Sequence, residues 1–209
     1  MLHQYRREGP LTQERAEATI TLSTELGFPY FLTAGSILQG WSLAEQGQAE
    51  EGIAQIRHDL AAHQATGAKL QRPYGLALLA EAYRKGGQVE EALSVLAEAL
   101  EVVYQTKQRH WEAELFRLKG ELTLAQSSVQ GLGSSVKEAE ECFLKAIEIA
   151  RKQQAKSLEL RAAMSLSRLW RQQGKKTEAH KLLSDVYNWF NEGFDTKDLQ
   201  EAKALLEEL

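Results

Sequence analysis

The stretch Gly87-Gln88-Val89-Glu90-Glu91-Ala92-Leu93 decides the reading of this chain. It comes back at Gly47-Gln48-Ala49-Glu50-Glu51-Gly52-Ile53 and at Gly174-Lys175-Lys176-Thr177-Glu178-Ala179-His180. A weaker copy stands at Ser135-Val136-Lys137-Glu138-Ala139-Glu140-Glu141. Anchored on the small residue of each copy, Gly52, Ala92, Ala139 and Ala179 are spaced by 40, 47 and 40 residues. A fixed period of roughly 20 to 50 residues marks a repeat architecture, in which each unit buries its apolar face only against its neighbours. The longer interval is explained by an insertion in the small, polar, glycine-containing stretch from Ser127 to Ser134, which reads as a loop.

Apolar residues at three- and four-residue steps predict two amphipathic helices per copy. In the second copy the first helix runs near Pro73 to Lys85, with Leu76, Leu79, Ala80 and Tyr83 on one face, and Gly86-Gly87 stops it. The second starts at about Val89 and buries Ala92, Leu93, Leu96, Ala99, Leu100 and Val103. Small residues Gly40, Ala80, Gly120 and Ser167 on the first helices face Gly52, Ala92, Ala139 and Ala179 on the second, so the paired backbones approach closely. The expected fold is all-α: a right-handed solenoid of antiparallel helix hairpins with about ten helices, forming one domain over residues 1–209. A partial first repeat covers 11–29, and repeats follow at 30–69, 70–109, 110–156 and 157–194. Leu11 to Leu26 reads as the second helix of a repeat begun upstream, its Gly27 standing 40 residues before Gly67. Asp195 or Thr196 caps a terminal helix over 195–209, whose Glu201, Glu207 and Glu208 form a polar face that closes the stack.

The order Leu79, Ala80, Tyr83, then Gly-Gln-x-Glu-Glu-Ala-Leu at 87–93 and Ala99, resembles the tetratricopeptide repeat (TPR) over about residues 30 to 190. The period of 40 departs from the roughly 34 of the ordinary TPR. Longer runs carry a narrower resemblance: Leu22-Ser23-Thr24-Glu25-Leu26-Gly27-Phe28-Pro29-Tyr30, Trp111 to Glu121, Gln153 to Ala163 and Gly193 to Leu206. They are similar to the C-terminal repeats of bacterial proteins that carry a class III adenylate/guanylate cyclase domain and a STAND-type ATPase domain. That resemblance implies a regulatory, non-catalytic segment of a cytoplasmic signalling protein, with any cyclase or ATPase activity in domains absent from this chain.

Composition agrees with a folded, helix-rich chain: 43% of residues are apolar, 26% charged, and proline occurs three times. Cys142 is the only cysteine, so no intrachain disulfide and no cysteine-based metal cluster can form. No run of about 18 apolar residues occurs, and the basic pair Arg6-Arg7 has no signal-peptide core behind it. A cytoplasmic protein with no membrane partner is expected. Net charge is −4, but residues 151–181 alone carry +7 and the remainder −11. Such a run is ordinarily a solvated helix face; it also suits steering of an anionic partner or, as a third reading, binding of nucleic acid.

Catalytic patterns are missing. Among His3, His58, His63, His110 and His180 no two stand three or four apart. His58 and His63 diverge by roughly 140° around a helix and read as exposed polar positions. Gly174-Lys175-Lys176-Thr177 fails as a phosphate loop, with Leu169 where glycine is needed and Lys176 where Ser or Thr is needed. Gly131-Leu132-Gly133 follows no strand and reads as linker, Cys142 as a small buried hydrophobe, and no Gly-x-Ser-x-Gly occurs. No catalytic residue, metal ligand or cofactor is expected.

The TPR resemblance implies an inner groove lined by the first helix of each repeat. Aligned on the repeat, its residues are Ile37, Trp41, Tyr74, Glu81 and Arg84, then Glu114, Arg117 and Glu121, then Arg161, Arg168 and Arg171. Trp41, on the face that lines this groove, reads as packing between repeats or as an anchor for a partner, whereas Tyr83, Trp111 and Trp170 read as packing between repeats. The last arginines, at steps of seven and three residues, suit the carboxylates of a peptide or an acidic helix. The expected function is a protein–protein interaction or regulatory module that binds a protein, a peptide or its own upstream catalytic domains. A homo-oligomerisation scaffold is the alternative, and nucleic-acid binding through 151–181 comes last.

Overall fold

Three of the four copies of the repeated stretch begin by ending a helix. Gly47, Gly87 and Gly174 take φ of 93°, 73° and 79°, the left-handed region open to glycine at little cost. The next residue's N–H then reaches back five residues, from Gln48 to the Leu43 carbonyl, Gln88 to Tyr83 and Lys175 to Trp170, each at 2.9 Å. This Schellman geometry satisfies carbonyls that the helix end would otherwise leave open. The glutamates that follow, Glu50-Glu51, Glu90-Glu91 and Glu178, fall in the first turn of the next helix, where its dipole favours negative charge.

The structure is a computed structural model and describes residues 1–65, 71–130 and 133–209. The described residues contain helices and no strand: α1 (Leu2–Tyr5), α2 (Gly9–Leu26), α3 (Pro29–Glu45), α4 (Ala49–Ala65), α5 (Arg72–Lys85) and α6 (Val89–Thr106), then α7 (Glu112–Gln130), α8 (Gly133–Lys152), α9 (Lys156–Gln172), α10 (Lys176–Tyr187) and α11 (Lys197–Glu208). A single 3₁₀ turn, Arg109–Trp111, precedes α7. The fold is all-α, as expected. The chain divides into two compact units, Met1–Arg109 and His110–Leu209. In the first, α3/α4 and α5/α6 are the hairpins, α2 lies along α3, and α3 and α5 are neighbours. In the second, α7/α8 and α9/α10 are the hairpins, and α9 has α7 and α11 beside it.

Close backbone approach is what the small residues provide. A Cβ on Gly52 would stand 2.3 Å from the Gly40 carbonyl oxygen, so α3 and α4 touch backbone to backbone. Ser167 donates from α9 to the Ala179 carbonyl on α10 at 3.1 Å. Gly120 meets the Phe143 ring, 2.5 Å from where its Cβ would be, rather than Ala139 itself. Helix α5 is buried on nearly every side, from Pro73 to Ala80 and at Ala82 and Tyr83. Its leucines, Leu76, Leu78 and Leu79, each gain roughly 1.5–3 kcal/mol on full burial.

One expectation is corrected here, and one element is new. The described part of Ser127 to Ser134 is helical and not a loop: α7 runs on to Gln130 and α8 begins at Gly133. These helices span 19 and 20 residues, against 14 and 18 for α5 and α6, so the longer repeat interval is taken up by longer helices. Serine and glutamine carry only a small helix penalty, and elongating a formed helix adds one hydrogen bond per residue. The weak copy from Ser135 to Glu141 consequently lies inside α8. Gly67, and Gly131-Leu132 of the linker reading, lie outside the described residues. Helix α1 is the new element, a short one that the periodicity does not signal.

Candidate binding faces

In the first unit the predicted groove residues stand where α3 and α5 meet. The Trp41 indole N–H donates to Glu81 Oε2 at 2.6 Å, and Lys85 Nζ lies 3.1 Å from Glu45 Oε1. Both pairs join residues one 40-residue period apart, so each bond couples equivalent positions of successive repeats. Trp41 is only 2% exposed and is therefore seated between the two helices rather than presented to a partner. Ile37 and Tyr74 are buried as well. Tyr74 is covered by α1: its hydroxyl donates to Gln4 Oε1 at 2.9 Å, and the Tyr5 ring meets it edge-on at 5.8 Å between centroids. Glu81 and Arg84 are half-buried. His63 also departs from its expected exposed position. It is buried, 2.8 Å from Thr33 Oγ1 through Nδ1, with the Tyr30 ring 4.9 Å away. The stripe Gly52, Ile56, Leu60, His63 at four, four and three residues was the sequence signal for this. His58 is exposed as expected.

The second unit presents a different surface. Arg117 forks onto both oxygens of Glu114, from Nε at 2.9 Å and Nη2 at 2.6 Å, and its Nη1 reaches Glu121 Oε1 at 2.5 Å. Ser165 of α9 donates to that Glu121 oxygen at 3.0 Å. Arg161 donates from Nε to Asp198 Oδ2 of α11 at 2.7 Å, and its Nη1 lies 3.7 Å from Glu114. Glu114, Arg117, Arg161, Ser165 and Asp198 are all buried. Further along α9 the pairs open to solvent. Arg168 lies 3.4 Å from Glu201, Arg171 pairs with Glu208, and the two arginine side chains are 42% and 34% exposed.

The arginine row thus faces carboxylates of the chain's own α11. Asp198, Glu201 and Glu208 are the site residues that sequence reasoning missed. The acidic face of α11, read as closing the stack toward water, turns two of its glutamates onto α9. Glu159 was also missed. Burial pushes its carboxyl up, but hydrogen bonds from Arg151 and Lys156, both at 2.7 Å, outweigh this and hold it below the ordinary carboxylate range. Of the nine Lys and Arg in 151–181, seven are ion-paired: Arg151, Lys152, Lys156, Arg161, Arg168, Arg171 and Lys175. Their field is consequently neutralised close to its source, which weakens the region as a nucleic-acid surface.

Trp111 is buried, and Trp170 donates its indole N–H to Glu140 of α8 at 2.8 Å. Cys142 is buried, and burial pushes its thiol above the usual value. Among the described residues no group of three or more His, Cys, Asp or Glu is placed to hold a metal ion, and no helix is long and apolar enough to cross a membrane.

No family model matches the chain, and no curated protein matches it. Solved structures do. One is a crystal structure of nearly identical TPR-like repeats from a Podosopora anserina protein described as a kinesin light chain. It is 17% identical, aligned over 99% of this chain and 90% of the other, with a TM-score of 0.56. A point variant of those repeats is 19% identical over 88% of each chain, with a TM-score of 0.58. The fold of this chain is accordingly that of TPR-like helix hairpins.

Proposed function

We propose that this chain is a non-catalytic protein–protein interaction module that serves as the sensor or docking end of a bacterial signalling protein, any catalytic step belonging to other domains. The TPR-like fold supports an interaction role. The observation that carries the docking site is the pair Arg168 and Arg171, half-exposed on one face of α9 and matched only at the surface. Guanidinium groups so placed recognise carboxylates of an acidic segment. The buried Glu114, Arg117 and Arg161 and the half-buried Glu121 continue the charged face of this unit. On the first unit, Glu81 and Arg84 are the half-buried members of a second contact face, backed by Trp41 and Tyr74. A library of displayed 15-residue peptides, panned on the chain, tests the reading. Enrichment of acid-rich sequences that is lost on Arg168→Glu/Arg171→Glu is expected; enrichment indifferent to that substitution overturns the site.

A second reading, homo-oligomerisation, has its own observation. Leu22, Leu26, Phe28 and Phe31 stand at the corner between α2 and α3 with half or more of each side chain exposed. Sedimentation over a hundredfold concentration range decides it: a mass that rises with concentration, and that Phe28→Ser/Phe31→Ser abolishes, makes this corner a self-association surface.

A further inference from the structure

Helix α11 occupies the arginine face of α9 in the manner of a ligand. Arg161, Arg168 and Arg171 meet Asp198, Glu201 and Glu208 in the same order along the chain. The first and last residues of each row are ten apart, about 15 Å of helix, so the two charge rows keep register only if the helices run parallel. Between the charges, Leu199, Ala202 and Leu205 are buried in the same apolar cluster as Leu166 and Leu183. The seat therefore reads a helix with acids at positions 1, 4 and 11 and apolar residues at 2, 5 and 8.

We propose that this seat on α9 and α10 is an exchangeable helix-binding site, that α11 is its resident occupant, and that an acidic amphipathic helix of a partner protein displaces it. The inference rests on the reading of the arginine face as the docking site. Helix α11 has twelve residues, too few to hold a helix in water without its packing. A stretch without regular helix, Asn188 to Thr196, joins it to α10 and leaves it room to leave. The two outer ion pairs lie at partly exposed positions where salt screens them. Arg161 is not stranded when Asp198 departs, because Glu114 remains within 3.7 Å. The apolar strip under Leu199, Ala202 and Leu205 favours refilling over an empty seat.

The probe is a fluorescein-labelled synthetic peptide with the sequence of residues 195–209, titrated by anisotropy into the whole chain and into the whole chain carrying Leu199→Ala/Leu205→Ala. The loosened chain is expected to bind at least tenfold more tightly than the natural one. Replacing Asp198, Glu201 and Glu208 of the peptide by their amides, or adding Arg168→Glu/Arg171→Glu to the chain, abolishes binding. In the natural chain, saturating peptide speeds amide hydrogen exchange at 198–208. Equal affinity for the two chains, or binding that leaves exchange at 198–208 unchanged, overturns displacement while leaving the arginine face as a docking site. Failure of the acid-rich library instead removes the docking reading itself. A concentration-dependent dimer of the loosened chain gives the seat to a second copy and overturns the partner assignment. If the loosened chain loses its helical circular dichroism, exchange in the natural chain decides alone. Opening of α11 ahead of α9 supports the proposal, and their exchange together only on global unfolding refutes it.

Discussion

The α3/α5 seam of the first unit and the α7/α9/α11 seam of the second are built to one plan and filled with different chemistry. In both, the first helix of a repeat lies beside its counterpart one period on. The α3/α5 seam is closed by a buried tryptophan bonded to Glu81 and an ion pair at its margin. The other carries a lattice of charge, with Arg117 forked onto Glu114 and Arg161 held by Asp198. Hairpin geometry is set elsewhere, by turn glycines and by small residues such as Gly40 and Gly52. The seam is thereby released to vary, and it is where one repeat array acquires chemistry that another lacks.

The sharpest way to break the comparison is Arg161→Ala. It removes the guanidinium at 2.7 Å from the buried Asp198, while Glu114 keeps Arg117, and is expected to cost about 3 kcal/mol, read by urea unfolding. Gly52→Ala tests the other half of the claim, that the hairpin and not the seam sets geometry. With 2.3 Å between the new methyl and the Gly40 oxygen, a loss of about 3 kcal/mol is expected, against about 1 kcal/mol for Gly47→Ala, where only φ is strained. A cost for Gly52→Ala no larger than for Gly47→Ala breaks the distinction.

Glu159 gives a smaller, pH-resolved effect. Its folded-state pKa is depressed, so the stabilisation is complete above the ordinary carboxylate value of about 4.3 and is lost as pH falls through the lower folded value. Stability of Glu159→Gln measured from pH 6 to 3 should therefore lie below that of the natural chain at pH 6 and converge on it toward pH 3. Parallel curves exclude the depressed carboxyl as the source. Smallest of all, Arg171→Gln should change stability by under about 0.5 kcal/mol, vanishing at 1 M salt, since its pair with Glu208 is largely exposed.

Much of the fold was legible because its determinants are local. Gly47, Gly87 and Gly174 announce turns that only a positive φ permits, and the apolar steps in α6 name the buried face. Lys107 and Gln154 take φ of 59° and 55° at the ends of α6 and α8, yet nothing in their identity signals it, because the surrounding helices impose the conformation. Ser127 to Gln130 misled for the opposite reason, since a loop-like composition yields to a helix already growing. At the site, helical period placed Arg161, Arg168 and Arg171 on one face but was silent on what meets them. The partners lie 33 to 37 residues away, a pairing created by the docking of α11. Trp41 shows the same limit: periodicity puts it on the face toward the neighbouring repeat and does not distinguish a groove from a closed seam.

The turn glycines have a practical consequence. At Gly27, Gly47, Gly87 and Gly174 no neighbouring atom lies within 4 Å of where a side chain would begin. Each turn opens outward, its constraint being backbone angle and not crowding. These corners are therefore natural splice points: a tether, a dye-bearing segment or a whole foreign domain inserted there leaves the helix interfaces untouched, so the array can be instrumented repeat by repeat without being rebuilt.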